Sequence, residues 1–178
     1  MRYNPKIHHR KSIRLQPYDY SNHGAYFVTI CTWNRENILG DMSNSLMRLT
    51  SAGEIVLTCW QDLPNHYGNI ELDEFVIMPN HLHGIIWIKV DMERTGLKPA
   101  PTDKQHGLPE IMRALKTFSS RAINKNRHTP GTPVWQRNYF DRVIRNEAEL
   151  SKIREYIRNN PLQWELDENN PVNLQGRV

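Results

Sequence analysis

The stretch Phe75-Val-Ile-Met-Pro-Asn-His-Leu-His-Gly-Ile-Ile-Trp-Ile88 is an apolar run broken at its centre by two histidines with one leucine between them. Side chains two apart on a β-strand share a face, so His81 and His83 project together while Leu82, Gly84, Ile86 and Ile88 point the other way. A polar group left unpaired in such a run costs roughly 1 to 3 kcal/mol, so something must compensate the two imidazoles. Two readings are open: histidines hydrogen-bonded within the core, or half of a metal site.

The segments around this run set the architecture. Residues 25–32 are rich in β-branched and aromatic side chains and read as a strand, whereas 34–45 read as a mostly polar loop. From Thr50 to Leu63, Ile55, Val56, Cys59, Trp60 and Leu63 recur at helical spacing, with Thr50 or Ser51 available as N-cap and Pro64 just beyond. Residues 70–78 form a second strand, and Pro79-Asn80 turns the chain tightly into the histidine strand, 81–90, as its antiparallel neighbour. After a Gly- and Pro-bearing loop over 91–108, Ile111, Leu115, Phe118 and Ala122 mark a second helix over 108–123. Two short strands are expected at 134–136 and 139–144, and Asn146 can cap a last helix over 147–159 that ends before Pro161. This order predicts an α+β fold: a ferredoxin-like or RRM-like antiparallel sheet with two helices on one face. The last helix is then free to dock on the other face, beside His81 and His83.

At 178 residues the chain is expected to form one domain, 1–178, with an irregular arm (1–24), a core (25–161) and a tail (162–178) that is polar and loosely held after Leu166. No apolar run is long enough to span a membrane and the N-terminus lacks a secretory core, so a cytoplasmic location is expected. Cys31 and Cys59 lack the spacing of a disulfide framework or a cysteine zinc site and read as reduced packing residues. Charge is unevenly spread, at +5 over 1–16, −6 over 17–103, +7 over 104–160 and −2 over 161–178. A basic arm and a basic second half suit a polyanionic partner.

On the last helix Leu150, Ile153 and Ile157 make the apolar stripe, and Tyr156 and Asn160, four apart, stand one above the other at its edge. They read either as a half-buried tyrosine and a helix-end asparagine, or as a phenol and a carboxamide presented to the sheet.

The phrases Met78-Pro-Asn-His-Leu-His83, Val134-Trp-Gln-Arg-Asn-Tyr-Phe-Asp141 and Tyr156-Ile-Arg-Asn-Asn-Pro161 resemble, in order and spacing, the motifs of the REP-associated tyrosine transposases, members of the HUH single-tyrosine superfamily. The resemblance covers roughly 25–161. It implies single-stranded DNA with a hairpin as substrate, a divalent metal (Mg²⁺ or Mn²⁺) held by His81, His83 and Asn160, and Tyr156 as the nucleophile that forms a 5′-phosphotyrosine link. Many single-tyrosine relatives carry glutamine where this chain has Asn160, whose amide oxygen reaches less far. Imidazole ligands favour Mn²⁺ over Mg²⁺. No Gly-x-x-x-x-Gly-Lys-Ser/Thr loop is present, in keeping with strand transfer without ATP.

Arg137, Arg142, Arg145, Lys152, Arg154 and Arg158 lie near this site in sequence, with Trp135, Tyr139 and Phe140 among them; cations interleaved with rings suit a single strand. Arg10 and Lys11 in the arm are candidates for the hairpin. Trp135 and Phe140 have a plainer reading as core. The competing functions are a domesticated DNA-binding protein or repressor on the same fold, a His-x-His oxygenase or hydrolase, and an RRM-like RNA binder; monomer and homodimer are both open.

Overall fold

The computed structural model describes residues 19, 21–44, 46–89, 106–167 and 169–174. Four strands form one antiparallel sheet: β1 (Gly24–Cys31), β4 (Ile70–Met78), β5 (His81–Ile88) and β6 (Phe140–Ile144), in the order β4-β5-β1-β6. A separate hairpin is formed by β2 (Gly40–Ser43), which lies inside the stretch expected to be loop, and β3 (Leu46–Leu49), which follows it. Its strands are only four residues long, and Asp41, Ser43 and Arg48 dilute the apolar signal.

Helices α1 (Ser51–Gln61) and α3 (Leu108–Asn126) pack together on one face of the sheet. Thr50 caps α1 by accepting from the Gly53 amide at 3.2 Å. A short helix, α2 (Leu63–His66), follows, and Pro64 sits in its first turn, where the missing N–H goes unused. On α3, Ile111, Leu115, Ser119 and Ile123 point inward, but Phe118, expected in the apolar stripe, is exposed. Ser119 takes the inner position and bonds both the Leu115 carbonyl and the Trp135 indole N–H.

The alternation in β5 is realised as expected. Leu82, Ile86 and Ile88 join Val56, Trp60 and Ile111 in the core beneath α1 and α3. Gly84 lies against Trp60, where an added Cβ would come within 2.6 Å of the indole Cη2. The other face of the sheet, with Ala25, Phe27, Ile85 and Ile144, is packed by Leu150 and Ile157 of α4 (Glu147–Asn159). Asn146 caps α4 through the Glu149 amide at 2.9 Å, and the Glu149 carboxylate in turn accepts from the Arg145 amide.

Two expectations for the C-terminal third do not hold. Residues 134–136 form no strand, only a bridge between Trp135 and Thr32. A 3-10 helix (Asn160–Leu166) carries on from α4, and the chain does not loosen after Leu166, since a last short helix, α5 (Pro171–Leu174), follows. Trp164, Asn169 and Asn170 are buried, which returns the supposed tail to the sheet. Among the described residues no helix is long and apolar enough to cross a membrane.

Candidate active site

His81 and His83 stand side by side on the α4 face of β5, ring centroids 4.5 Å apart and almost wholly buried. Their tautomers follow from their partners. Asn80 spends both amide hydrogens on the carbonyls of Arg35 (2.9 Å) and Asn169 (2.7 Å), which leaves its oxygen to accept from His81 Nδ1–H at 2.9 Å. His81 Nε2 is therefore a bare lone pair, and it is buried with no hydrogen-bond partner. His83 is engaged at Nδ1 by Thr29 Oγ1 (2.7 Å), its cross-strand neighbour on β1, and at Nε2 by the Tyr156 hydroxyl (3.2 Å).

Around the free nitrogen the groups are acceptors as well. Asp167, only 5% exposed, brings Oδ2 to 4.0 Å from His81 Nε2. Burial, helped by the nearby Arg35 charge, pushes His81 down to about 3, so at neutral pH this is a lone pair facing a carboxylate and no ion pair. Burial, with His81 beside it, holds His83 at about 3 too. Asn160 donates to Asp167 Oδ2 at 3.3 Å, and its own Oδ1 is buried without a partner. Ligand atoms of His81, His83 and Asp167 all lie within 4.8 Å of one another. Neutral imidazoles, an amide oxygen and a carboxylate that converge without a donor among their free atoms are what a cation would satisfy. The arrangement is consistent with a metal site.

Tyr156 closes the open side. Its ring lies 5.2 Å from that of His83 and is 41% exposed, so the phenol borders both solvent and the buried acceptors. Arg154, on the same helix, makes a two-pronged contact with Asp73 of β4 at 2.9 and 2.6 Å, and Asp73 also accepts from the Trp87 indole. This pair, more than half shielded from water on both sides, fixes the rotation of α4 that brings Tyr156 over His83.

Residues 101–160, a span that includes β6 and Tyr156, match the family model described as IS200-like transposase. A Haemophilus influenzae protein named for the REP-associated tyrosine transposases is 24% identical over 149 residues, covering 82% of this chain and 74% of its own length. A solved REP-associated tyrosine transposase, bound to a REP hairpin, shares the fold with a TM-score of 0.59 at 17% identity, over 88% of this chain and 77% of that one. Over these spans the chain is similar to the REP-associated tyrosine transposases in sequence and shares their fold. A second protein of the same Haemophilus influenzae strain, uncharacterized, is 41% identical over 177 residues, 94% of this chain and 96% of its own.

In this chain the four residues expected to carry the chemistry, His81, His83, Tyr156 and Asn160, do come together. Asp167 joins them and was missed, because an acid in a polar tail gives no positional signal; Trp164, a large apolar ring in that tail, was the available hint. It packs 6.0 Å from His81 and folds the segment back. The basic residues are more dispersed. Arg142 is on the site face of β6 and pairs with Glu149 at 2.6 Å, while Arg158 pairs with Glu74. Arg137, Arg145 and Lys152 are exposed, and Lys152 lies one turn before Tyr156 on the same side of α4. Trp135 is buried behind the sheet and is core, but Phe140 is exposed. Arg10 and Lys11 lie outside the described residues.

Proposed function

We propose that this protein is a tyrosine transposase of the REP-associated type, a metal-dependent single-strand DNA nicking and strand-transfer enzyme that acts beside a hairpin, with Tyr156 as nucleophile. The observation that carries the reading is the 3.2 Å approach of the Tyr156 hydroxyl to His83 Nε2, at the mouth of the buried acceptor cluster. A divalent cation, Mg²⁺ or Mn²⁺, would be held by His81 Nε2, His83 Nε2, Asn160 Oδ1 and the Asp167 carboxylate, and supplies Lewis-acid polarisation of the scissile phosphate. The phenol rests on the nitrogen that such an ion would use, so His83 would hold the ion beside the nucleophile.

The rest of the step belongs to the chain. Thr29 and Asn80 lock the imidazoles with their Nε2 atoms forward, and the pull of burial keeps both rings neutral, so no proton need leave them before a cation binds. Tyr156 Oη attacks phosphorus, the bond from phosphorus to the 3′ oxygen breaks, the partly exposed phenol gives its proton to water and the leaving 3′ oxygen takes one from water. The products are a 5′-phosphotyrosine link and a free 3′ hydroxyl; reversal with another 3′ hydroxyl rejoins the strand without ATP. Since tyrosine and histidines face each other within one chain, a monomer suffices as the catalytic unit. We place the reaction in the cytoplasm, on hairpin-bearing strands contacted by Arg137, Arg142, Arg145, Lys152 and Arg158, with Arg10 and Lys11 on the hairpin. The test is incubation of end-labelled hairpin oligonucleotides with single-stranded tails in Mn²⁺ or in chelator. Cleavage of the tail that needs the ion supports the reading, whereas binding without cleavage in any divalent ion leaves the protein a DNA-binding module.

A further inference from the structure

Phe140 is the first residue of β6 and 52% exposed. Its register opposite Thr29 puts it on the same sheet face as His83 and Tyr156. Phe27, almost fully buried, connects them: its ring is stacked on His83 at 5.4 Å and meets Phe140 (6.3 Å) and Tyr156 (6.1 Å) edge-on. Those two distances put the ring centroids of Phe140 and Tyr156 no more than about 12 Å apart. An exposed ring thus ends a row of aromatic side chains whose other end is the phenol. Two residues along the strand, Arg142 shares the face and is 61% exposed.

From this arrangement we infer that Phe140 is a stacking platform for one unpaired nucleobase adjoining the scissile phosphate, with the backbone of that nucleotide turned toward Arg142. The inference rests on the nicking function proposed above and adds the residue that selects which phosphate meets Tyr156. A base suits the ring because every base offers a π face while the strand's phosphates answer the cations beside it. A second copy of the chain fits less well. Pairing β6 with its own copy across a two-fold axis near its centre would set Arg142 against an arginine of the other copy, like charge against like.

The test uses the full chain carrying Tyr156→Phe, which holds the DNA uncut, and oligonucleotides with 2-aminopurine at successive positions around the cleavage site. Quenching at one position next to the scissile phosphate is expected. Adding Phe140→Ala should restore fluorescence there and weaken binding about tenfold, and Phe140→Trp should keep the quench. Unchanged quenching and affinity in Phe140→Ala would overturn the platform. So would a shift from dimer to monomer in sedimentation without a change in quenching, which would assign the ring to a second copy. A wild-type protein that quenches at this position but never cuts would defeat the nicking function and leave the platform standing; one that binds no single strand would defeat both.

Discussion

The hydroxyl of Tyr156 and Nε2 of His83 lie 3.2 Å apart, although the first is on the last long helix and the second on a central strand. The approach depends on two separate determinants. Register in the sheet sets Thr29 against His83, and the Arg154–Asp73 pair sets the rotation of α4. Each can be broken alone.

Removing the Thr29 hydroxyl leaves His83 Nδ1 buried without a partner and the ring free to turn. Thr29→Val is expected to weaken Mn²⁺ binding about tenfold by calorimetry, and Thr29→Ser to restore most of it.

Asp167 carries the negative charge of the cluster. Asp167→Ala should lower Mn²⁺ affinity at least tenfold, and should also lower the unfolding temperature of the metal-free protein, since the carboxylate accepts from the Asn169 amide at 2.6 Å and from Asn160 at 3.3 Å. An affinity within twofold of wild type would remove Asp167 from the ligand set.

The Arg154 guanidinium holds the Asp73 carboxyl down to about 2 from 3.8, with the Trp87 indole adding to the effect against the opposing pull of burial. A depressed carboxyl stabilises the fold above its unfolded value and loses that contribution as pH falls through its folded one. Asp73→Asn should therefore cost about 1 kcal/mol at neutral pH, after allowance for solvent screening. The difference from wild type should disappear between pH 3.8 and about 2 in denaturant titrations.

Behind the histidines, Gly84 of β5 lies against the Trp60 ring of α1. Gly84→Ala drives a methyl into the Trp60 indole, which is fully buried and has no room to withdraw. A loss of about 1 to 3 kcal/mol in urea unfolding is expected, with metal affinity falling in step.

Much of this was legible in the sequence because it depends on local periods. The two-residue period of β5 separated His81 and His83 from Leu82 and Ile86, and the four-residue step on α4 put Tyr156 above Asn160. What escaped depends on contacts made after the chain turns back. Asp167 reaches His81 only because Trp164 buries itself there, and no period runs from α4 through the 3-10 turn at Pro161. Trp135 and Phe140 could not be sorted into core and surface because 136–139 is irregular and carries no alternation from one to the other. In the event Trp135 turned to Ser119 on α3 and Phe140 to the open face.

The most direct test of the account is to find which side chain DNA ends up on. Wild-type protein, Mn²⁺ and a hairpin oligonucleotide should give an adduct that survives denaturant, and tryptic digestion followed by mass spectrometry should locate the nucleotide remnant on the peptide 155–158, at Tyr156. Tyr156→Phe should bind the same oligonucleotide and form no adduct. A remnant on peptide 138–142, at Tyr139, or an undiminished adduct in Tyr156→Phe, would contradict the assignment.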